Sequence, residues 1–407
     1  MKTDKRFFSL QCGFLLFLLI FSACEYEGPV SVWEIVEGKT QIIPEITRVL
    51  PEDAGTANTL IIEGYHFSSE PEENWVYFDQ TRCAIISSSE TSIEIYRPNI
   101  SGDSITVSVS VLNAAAVARF GPYCLEAVVE EFGQFTESGH LLAMTVDADE
   151  RMYLVMGSAK VIRLNANGVR DETFTGTTPF TDWTDMEMGP DSSIYMVRSD
   201  NQIFRMGPEG GEPELYIQLE SSMDLMKTID FDESGRLFGG GRKSGLICVR
   251  PYSPSENLGY YNDYDIISVC VYNGYVYVAA RYIGQDNRVA ILGVYRHEIR
   301  DGIIPAGERE TVLNWDEGPL GAAIMLDMAF SEDGILYIGS SDAESPLVMV
   351  DPVTGNYTTL FRGIIPSPVS RIVWGNGKSI YALVGRDLFS DEDATLLKIN
   401  AGESGAP

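Results

Sequence analysis

The chain has 407 residues, 44% of them hydrophobic, which is enough for more than one packed domain and is not typical of disorder. Its formal net charge is −30, from 29 basic and 59 acidic residues. This surplus of negative charge opposes nonspecific binding to nucleic acid and to anionic lipid headgroups. We therefore expect no nucleic-acid partner.

Residues 1–23 have the composition of a secretory signal. Lys2, Lys5 and Arg6 precede an apolar run over 14–21, about half the ~20 residues that a membrane-spanning helix requires. Small residues then lead to Cys24. The pattern resembles a bacterial lipoprotein signal peptide, which implies removal of residues 1–23 and lipidation of Cys24. The alternative is an ordinary secretory signal in which Cys24 occurs by chance. Phe21 departs from the Leu or Ile that is usual at its position before the cleavage site.

Two acidic residues, Glu25 and Glu27, follow Cys24 at once. Acidic residues in this place resemble the surface-export signal of Bacteroidota lipoproteins. The resemblance implies an outer-membrane location, with an anchor in the lipid through Cys24 and the protein facing the cell exterior. Residues 24–43 are then expected to form an extended tether.

The other cysteines of the mature chain are Cys83, Cys124, Cys248 and Cys270. An exported protein can form disulfides, so a bridge between Cys83 and Cys124, which belong to one predicted domain, is left open. Cys248 and Cys270 lie in apolar strands and are expected to be small buried hydrophobes. None has the CxxC spacing of a zinc site.

Residues 44–124 have the alternation of half-buried β-strands, most regularly over 104–111. Several such strands within about 80 residues predict a β-sandwich. A Pro-bounded first strand over 46–51, and an apolar segment that runs through Gly64 to Phe67, resemble the IPT/TIG domain. That resemblance implies an immunoglobulin-like fold that acts as a spacer. Gly64 is expected at a bulge or tight turn that a side chain would obstruct.

Residues 129–401 contain one strand–turn–strand pattern six times. Each copy carries an aromatic residue in its second strand, and these recur at spacings of 42, 43, 39, 60 and 44: Tyr153, Tyr195, Phe238, Tyr277, Tyr337 and Tyr381. The period predicts a β-propeller of six blades in which these rings pack between blades. The pattern resembles NHL/YWTD propellers. The long spacing indicates an insertion around Arg296 to Gly318, although a seventh blade within 290–318 is an alternative.

The predicted fold class is therefore all-β, an immunoglobulin-like sandwich followed by a propeller, with a flexible tail at 402–407. The three histidines lie far apart in the sequence, without metal-ligand spacing. The sequence also has no Gly-x-Ser-x-Gly elbow and no P-loop. We expect no metal, no cofactor and no catalytic residue.

In a propeller, the loop after each second strand and the connection into each blade share one face. Flat aromatic rings on that face can stack on sugars, and basic side chains there would form a local positive funnel. The alternative is that the rings pack between blades. The predicted ligand-binding residues on this face are Trp183, Tyr261, Tyr264, Tyr282, Trp315, Arg242, Arg281 and Asp265.

A lipid anchor, an IPT/TIG spacer and a propeller together resemble surface proteins encoded with glycan-uptake systems in gut Bacteroidota. The resemblance implies a non-catalytic protein that binds polysaccharide or oligosaccharide for transporter partners. One alternative is a propeller hydrolase or lyase, which requires two carboxylates or a metal shell at the central channel. Another is a protein-binding adhesin scaffold.

Overall fold

The computed structural model describes residues 43–406 except 134, 136–139, 222, 224, 252, 285–290, 301–302, 306, 308, 319, 386–393 and 403. The predicted signal peptide, Cys24 and almost all of the tether lie outside these residues. The regular structure that is described is β-strand apart from two short 3-10 turns, Pro71–Glu73 and Trp315–Glu317. No helix among the described residues is long and apolar enough to cross a membrane. The all-β prediction is confirmed.

The first domain is a sandwich of two four-stranded sheets, with strand orders β1-β2-β6-β5 and β4-β3-β7-β8. Alternate residues of both sheets, such as Ile62, Val76 and Val107, point inward and form one apolar core. The strands are β1 (Glu45–Leu50), β2 (Thr59–Tyr65), β3 (Asn74–Phe78), β4 (Thr81–Arg82), β5 (Ile85–Ser88), β6 (Ser92–Tyr96), β7 (Gly102–Val111) and β8 (Ala118–Leu125).

Gly64 faces an irregular point of its partner strand. The register between β1 and β2 slips between Ile46 and Arg48, next to the pairing of Ile46 with Gly64. A Cβ on Gly64 would collide with the carbonyl oxygen of Glu45 and with the ring of Phe67. The bulge predicted for Gly64 is therefore present, and its neighbours leave no room for a side chain.

The disulfide left open by the sequence is not formed. Cys83 is buried in the sandwich core and Cys124 is exposed, and both are free thiols. Burial raises the pKa of the Cys83 thiol to about 12, so this cysteine packs as a small apolar side chain.

The remaining strands begin with β9 (Val129–Glu131) and then form successive blades. Blades one to three contain β10 (Leu141–Val146), β11 (Met152–Met156), β12 (Lys160–Leu164), β13 (Thr175–Thr177), β14 (Asp185–Met188), β15 (Ile194–Val197), β16 (Gln202–Met206), β17 (Gly210–Gly211), β18 (Glu214–Gln218), β19 (Thr228–Phe231), β20 (Leu237–Gly240), β21 (Leu246–Val249) and β22 (Glu256–Asn257). Strand β17 extends the first blade by pairing parallel to β13.

Blades four to six complete the ring. They contain β23 (Tyr264–Tyr272), β24 (Tyr275–Tyr282), β25 (Leu292–Glu298), β26 (Glu310–Asn314), β27 (Met325–Phe330), β28 (Leu336–Ser340), β29 (Leu347–Val350), β30 (Tyr357–Thr359), β31 (Val369–Trp374), β32 (Ser379–Val384) and β33 (Thr395–Asn400). The inner strands of the six blades are β10, β14, β19, β23, β27 and β31, and each contacts the inner strand of the next blade. The predicted blade number of six is confirmed.

Strand β9 closes the ring from the N-terminal side. It pairs antiparallel with β33 and so supplies the fourth strand of blade six, with Glu130 opposite Lys398. Glu150 reinforces the join from blade one, because its carboxylate accepts hydrogen bonds from the Gly377 amide (2.8 Å) and the Tyr381 hydroxyl (3.1 Å). Both ends of the propeller sequence therefore meet in one sheet.

The six repeated aromatic residues pack between blades, as the period predicted. All are buried: Tyr153, Tyr195, Phe238, Tyr277, Tyr337 and Tyr381. Tyr195 packs edge to face on Phe231 of the next inner strand, and Tyr337 packs in the same way on Trp374. One ring per blade thus fills the wedge between adjacent sheets.

The described residues of the long spacing in the fourth copy contain no seventh blade. Strands β25 and β26 are the third and fourth strands of blade four, and residues 299–309 connect them. The extra length lies partly in this connection and partly in the eight-residue β24 and seven-residue β25.

The C-terminal residues differ from the flexible tail expected at 402–407. Gly405 forms a β-bridge with Ser331, the Ala406 amide donates to the Phe330 carbonyl (3.0 Å), and the Glu332 amide donates to the Ser404 carbonyl (2.7 Å). These bonds pair the described tail residues with the hairpin of blade five. The small side chains at 404–406 permit this close approach, which composition alone does not reveal.

The sandwich contacts the outer part of the propeller through Asn58. Its Nδ2 donates to the Thr359 carbonyl (2.5 Å), and its Oδ1 accepts from the Phe361 amide (2.7 Å). The hydroxyl of Tyr96 accepts from Arg362 (3.3 Å). The two domains therefore share specific polar contacts in addition to the chain that joins them.

Candidate functional site

The inner strands surround a central channel with a volume of about 610 Å³. Two rings of side chains face it, in equivalent positions of the six blades. The upper ring is Ala143, Asp185, Thr228, Ser268, Asp327 and Arg371, and the lower ring is Thr145, Glu187, Asp230, Cys270, Ala329 and Val373. All except Ala143 line the channel.

The two carboxylates of the upper ring join neighbouring blades. Asp185 of blade two accepts a hydrogen bond from the Ile229 amide of blade three (3.0 Å). Asp327 of blade five likewise accepts from the Ile372 amide of blade six (2.9 Å). These amides belong to inner strands whose own sheet leaves them free, so the carboxylates satisfy buried donors.

Other members of the rings also form hydrogen bonds between adjacent blades. The Asp230 carboxylate accepts from the Val271 amide of the next blade (2.6 Å), and the Ser268 hydroxyl donates to Asp327 (2.9 Å). The Thr228 hydroxyl oxygen accepts from the Val269 amide (3.2 Å). The channel wall is therefore held together by polar contacts as well as by packing.

Burial raises the pKa values of the four carboxyl groups in the two rings. It raises the pKa of Asp185 to about 6 and that of Asp230 to about 7. Burial, followed by the negative charge of Asp230, holds the pKa of Glu187 well above its ordinary range. The pKa of Asp327 is also raised by burial, although the charge of Arg371 opposes the shift.

Arg371 is the positive group inside the ring. Its guanidinium reaches across the channel and donates to the Thr184 carbonyl of blade two, and also to the carbonyls of Leu326 (3.2 Å) and Ser370 (3.2 Å). Its Nε is buried and has no hydrogen-bond partner among the described residues. A donor therefore remains unused beside Asp185 and Asp327.

A second group of charged residues lies where the inner strands of blades three and four begin. We call Lys227, Arg242, Asp265 and Arg281 the rim cluster. Lys227 directly precedes β19, Arg242 forms a β-bridge with Asp265, and Asp265 pairs with Arg281 across β23 and β24. Burial lowers the pKa of Lys227, and the charges of Asp265, Arg371, Arg242 and Arg281 also act on it. The four residues therefore lie close together.

The cations of the rim cluster are not used within the described part of the chain. The side chains of Lys227, Arg242 and Arg281 make no hydrogen bond and no ion pair there. By contrast, Arg163 pairs with Asp171 (2.6 Å) and Arg236 pairs with Asp232 (2.5 Å). The rim cluster thus has a set of donors free for a ligand.

Four of the predicted aromatic residues have no exposed ring face. The exposed fractions are 2% for Trp183, 4% for Tyr261, 6% for Tyr282 and 3% for Trp315. The Trp315 indole donates to the Ala323 carbonyl (2.8 Å), and the Tyr261 hydroxyl is hydrogen bonded to His297 (2.8 Å). This burial corrects the expectation that these four rings are available for stacking on a sugar.

Trp183 illustrates the physical reason. It occupies the same repeat position as Leu141, Met226, Ile266, Met325 and Val369, which are all buried. Its ring packs on Phe204, and its indole nitrogen donates to the Thr178 hydroxyl (3.1 Å). A repeat position that is apolar in every copy belongs to the core between blades.

Tyr264 lies partly exposed in an aromatic group on blade four. Arg309 donates to its hydroxyl (3.1 Å) and stacks over Tyr261 and Tyr295. Because side chains alternate along a strand, Tyr264 and Asp265 point to opposite sides of β23. Of the predicted ligand-binding residues, the structure therefore brings together Arg242, Arg281 and Asp265, and separates them from the rings.

Sequence reasoning missed four residues of the channel, Glu187, Asp230, Asp327 and Arg371, and also Lys227 of the rim cluster. A usable signal was present, because Glu187 and Asp230 occupy the same position in successive repeats. Among the described residues, no group of three or more His, Cys, Asp or Glu side chains is arranged to hold a metal ion. The four carboxylates do converge on the channel, as the enzyme alternative required.

Comparison with known families identifies the first domain. Residues 44–121 match the IPT/TIG domain family, as the motif around Gly64 predicted. No curated protein sequence matches the chain.

Solved structures with a similar fold include an auxiliary nutrient binding protein from Bacteroides thetaiotaomicron, 11% identical, with a TM-score of 0.51 over 88% of this chain and 97% of that one. Another, from Bacteroides ovatus, is 14% identical, with a TM-score of 0.47 over 89% and 98% of the two chains. Virginiamycin B lyase from Staphylococcus aureus is 12% identical, with a TM-score of 0.44 over 67% and 98%. At these identities the likeness concerns the fold alone.

Proposed function

We propose that this protein is a non-catalytic binding protein that captures a polysaccharide or oligosaccharide at the outer cell surface. In this proposal the lipid on Cys24 anchors it in the outer membrane and the sandwich acts as a spacer. The rim of the propeller then presents the ligand to partner transporters of a glycan-uptake system. The NHL/YWTD-like character of the blades, suggested by the sequence pattern, belongs to the same proposal.

The observation that carries the binding proposal is the rim cluster beside an open polar channel. Two guanidinium groups and one ammonium group have donors without partners in the described part of the chain. Sugars offer many hydroxyl and ring oxygens, which such donors can bind. The likeness to proteins called auxiliary nutrient binding proteins is consistent with this reading.

The binding proposal is tested by a glycan array with the purified mature protein, followed by calorimetry on the sugars that are retained. We expect retention of at least one polysaccharide or oligosaccharide class. Failure to bind any of them would contradict the proposal. Incorporation of radiolabelled palmitate, lost in Cys24→Ala, tests the anchor separately.

A propeller-fold glycan hydrolase or lyase is the second candidate. It is favoured by the convergence of Asp185, Glu187, Asp230 and Asp327 on one channel, with pKa values raised by burial. A carboxyl group with a raised pKa can act as a general acid near neutral pH. The test is release of reducing ends or unsaturated products from the retained glycans, and its loss in Glu187→Gln.

A further inference from the structure

We propose that the rim cluster binds the carboxylate or sulfate ester of an acidic sugar residue, so that the captured oligosaccharide is anionic. This inference rests on the proposed function and specifies its ligand class. The cluster consists of Lys227, Arg242, Asp265 and Arg281 at the start of blades three and four.

The first argument is the donor set. A guanidinium group presents a planar fork that matches the two oxygens of a carboxylate or sulfate, and an ammonium group adds three rotatable donors. Arg242 and Arg281 flank Asp265 on two adjacent blades, which allows both forks to approach one anion. A neutral sugar hydroxyl can accept from these donors, but it carries no opposite charge and offers no pair of oxygens to match the guanidinium fork.

The second argument is the state of Lys227. Its side chain is largely buried, it has no ion pair among the described residues, and its pKa is lowered by burial. Partial burial disfavours the charged form of Lys227, and an anion placed beside it would offset that cost. The negative charge of Asp265 partly offsets this cost, whereas the positive charges of Arg371, Arg242 and Arg281 add to it, since they repel the charge on Lys227.

The third argument concerns the acidic groups nearby. Asp265 is the one carboxylate of the rim cluster, so the cluster has a positive balance on a chain whose net charge is −30. The carboxylates of Asp185 and Asp327 lie deeper and already accept backbone amides. Screening at physiological salt limits the influence of more distant charges to about 8 Å. A short acidic oligosaccharide is therefore favoured over an extended polyanion, which would meet the acidic surface elsewhere.

The test uses trigalacturonate, its fully methyl-esterified form and maltotriose as probes in calorimetry. The wild type is expected to bind trigalacturonate at least tenfold more tightly than the two neutral probes. Arg281→Gln and Arg242→Gln are each expected to weaken trigalacturonate binding at least tenfold. Lys378→Gln, which removes one positive charge from the exposed hairpin of blade six at the opposite rim, is expected to leave it unchanged.

A sulfated disaccharide and inorganic sulfate distinguish the sources of the anion. Binding of the acidic sugars without measurable binding of inorganic sulfate supports the proposal. Binding of inorganic sulfate alone overturns it, because the saccharide then contributes nothing. Equal affinity for trigalacturonate and its ester, or unchanged affinity in both arginine variants, also overturns it. If neutral glycans are still retained when the anionic preference is absent, the proposed function stands and only the anionic ligand class is wrong. If no saccharide binds at all, the proposed function and the anionic ligand class are both contradicted. Unchanged melting temperatures confirm that the variants are folded.

Discussion

Asp327 and Ile372 join two neighbouring blades through one hydrogen bond, which the backbone amide of Ile372 donates to the carboxylate at 2.9 Å. Asp185 and Ile229 repeat the relationship at 3.0 Å. The apolar side chains that also pack between the blades do not fix how far one sheet slides along the next. These carboxylates therefore set the alignment of adjacent inner strands and shape the channel.

The first prediction follows from this join. Asp327→Ala removes the acceptor for the Ile372 amide and for the Ser268 hydroxyl, leaving buried donors without partners. The expected loss in the free energy of unfolding is about 1–3 kcal/mol per unsatisfied group. Urea denaturation measures it. Asp333→Ala, at an exposed turn position of the same blade, is the control and should change stability little. Equal effects of the two substitutions would contradict the structural role.

A second prediction concerns pH. Burial raises the pKa of Asp230 to about 7, whereas an unfolded aspartate titrates near 3.9. Between these values the folded protein holds the proton more firmly than the unfolded chain does. The proton on Asp230 therefore adds its full contribution to the free energy of unfolding below about pH 4. This contribution is lost as the pH rises through about 7.

The substitution that tests this is Asp230→Asn, which removes the titrating group. The fall in the free energy of unfolding between pH 4 and pH 7 should become shallower in this variant. It should not vanish, because burial raises the pKa values of Asp185, Glu187 and Asp327 in the same direction. Urea midpoints measured across that range give the slope, and Asp333→Asn is the exposed control. An identical slope in Asp230→Asn and wild type would refute the linkage.

The third prediction separates packing from binding at Trp183. Its indole is buried against Phe204 and hydrogen bonded to Thr178, so Trp183→Ala creates a cavity and leaves a buried acceptor. The expected loss of stability is about 3–5 kcal/mol. Trp183→Phe should lose less, because most of the ring volume remains. Thermal melts with a glycan-retention assay test this: lost retention with unchanged stability in Trp183→Ala would restore the stacking interpretation.

Features that recur along the chain, such as the blades, could be predicted from the sequence. The spacing of Tyr153 to Tyr381 predicted six blades and the packing of one ring between each pair. These features follow from a repeat of hydrophobic positions, which sequence displays directly. The motif around Gly64 predicted the first domain, because the bulge there excludes any side chain.

The direction of individual side chains could not be predicted in the same way. The register of β27 and β28 slips between Met325 and Asp327, and that of β31 and β32 slips between Val369 and Arg371. Such a bulge changes which face the next residues occupy, so the period-two pattern fails at the start of the inner strands. Asp327 and Arg371, which directly follow these bulges, were therefore missed, whereas Glu187 and Asp230 lie in strands without a register shift.

The fourth prediction concerns the contact between the sandwich and the propeller. Asn58→Ala removes the acceptor of the Phe361 amide and the donor to the Thr359 carbonyl. Hydrogen exchange at Phe361 should become faster by tenfold or more, corresponding to about 1.4 kcal/mol, while the propeller core stays protected. Asn99→Ala, at an exposed position of the same domain, should leave that exchange unchanged. Equal protection of Phe361 in both variants would show that Asn58 does not hold the domains together.

The fifth prediction addresses closure of the ring by β9. Glu130 pairs with Lys398 in the backbone ladder between β9 and β33. Because its side chain is exposed, its backbone is the part that contributes to closure. Glu130→Pro removes the amide and distorts the edge strand, with an expected loss of about 1–3 kcal/mol. Glu130→Ala keeps the amide and is the matched control. Hydrogen exchange should show the loss of protection first in β33, whose Asn400 amide donates to the Val128 carbonyl (2.8 Å), before it spreads to other blades. If the two substitutions gave the same protection in β33, the N-terminal strand would not be what closes the propeller.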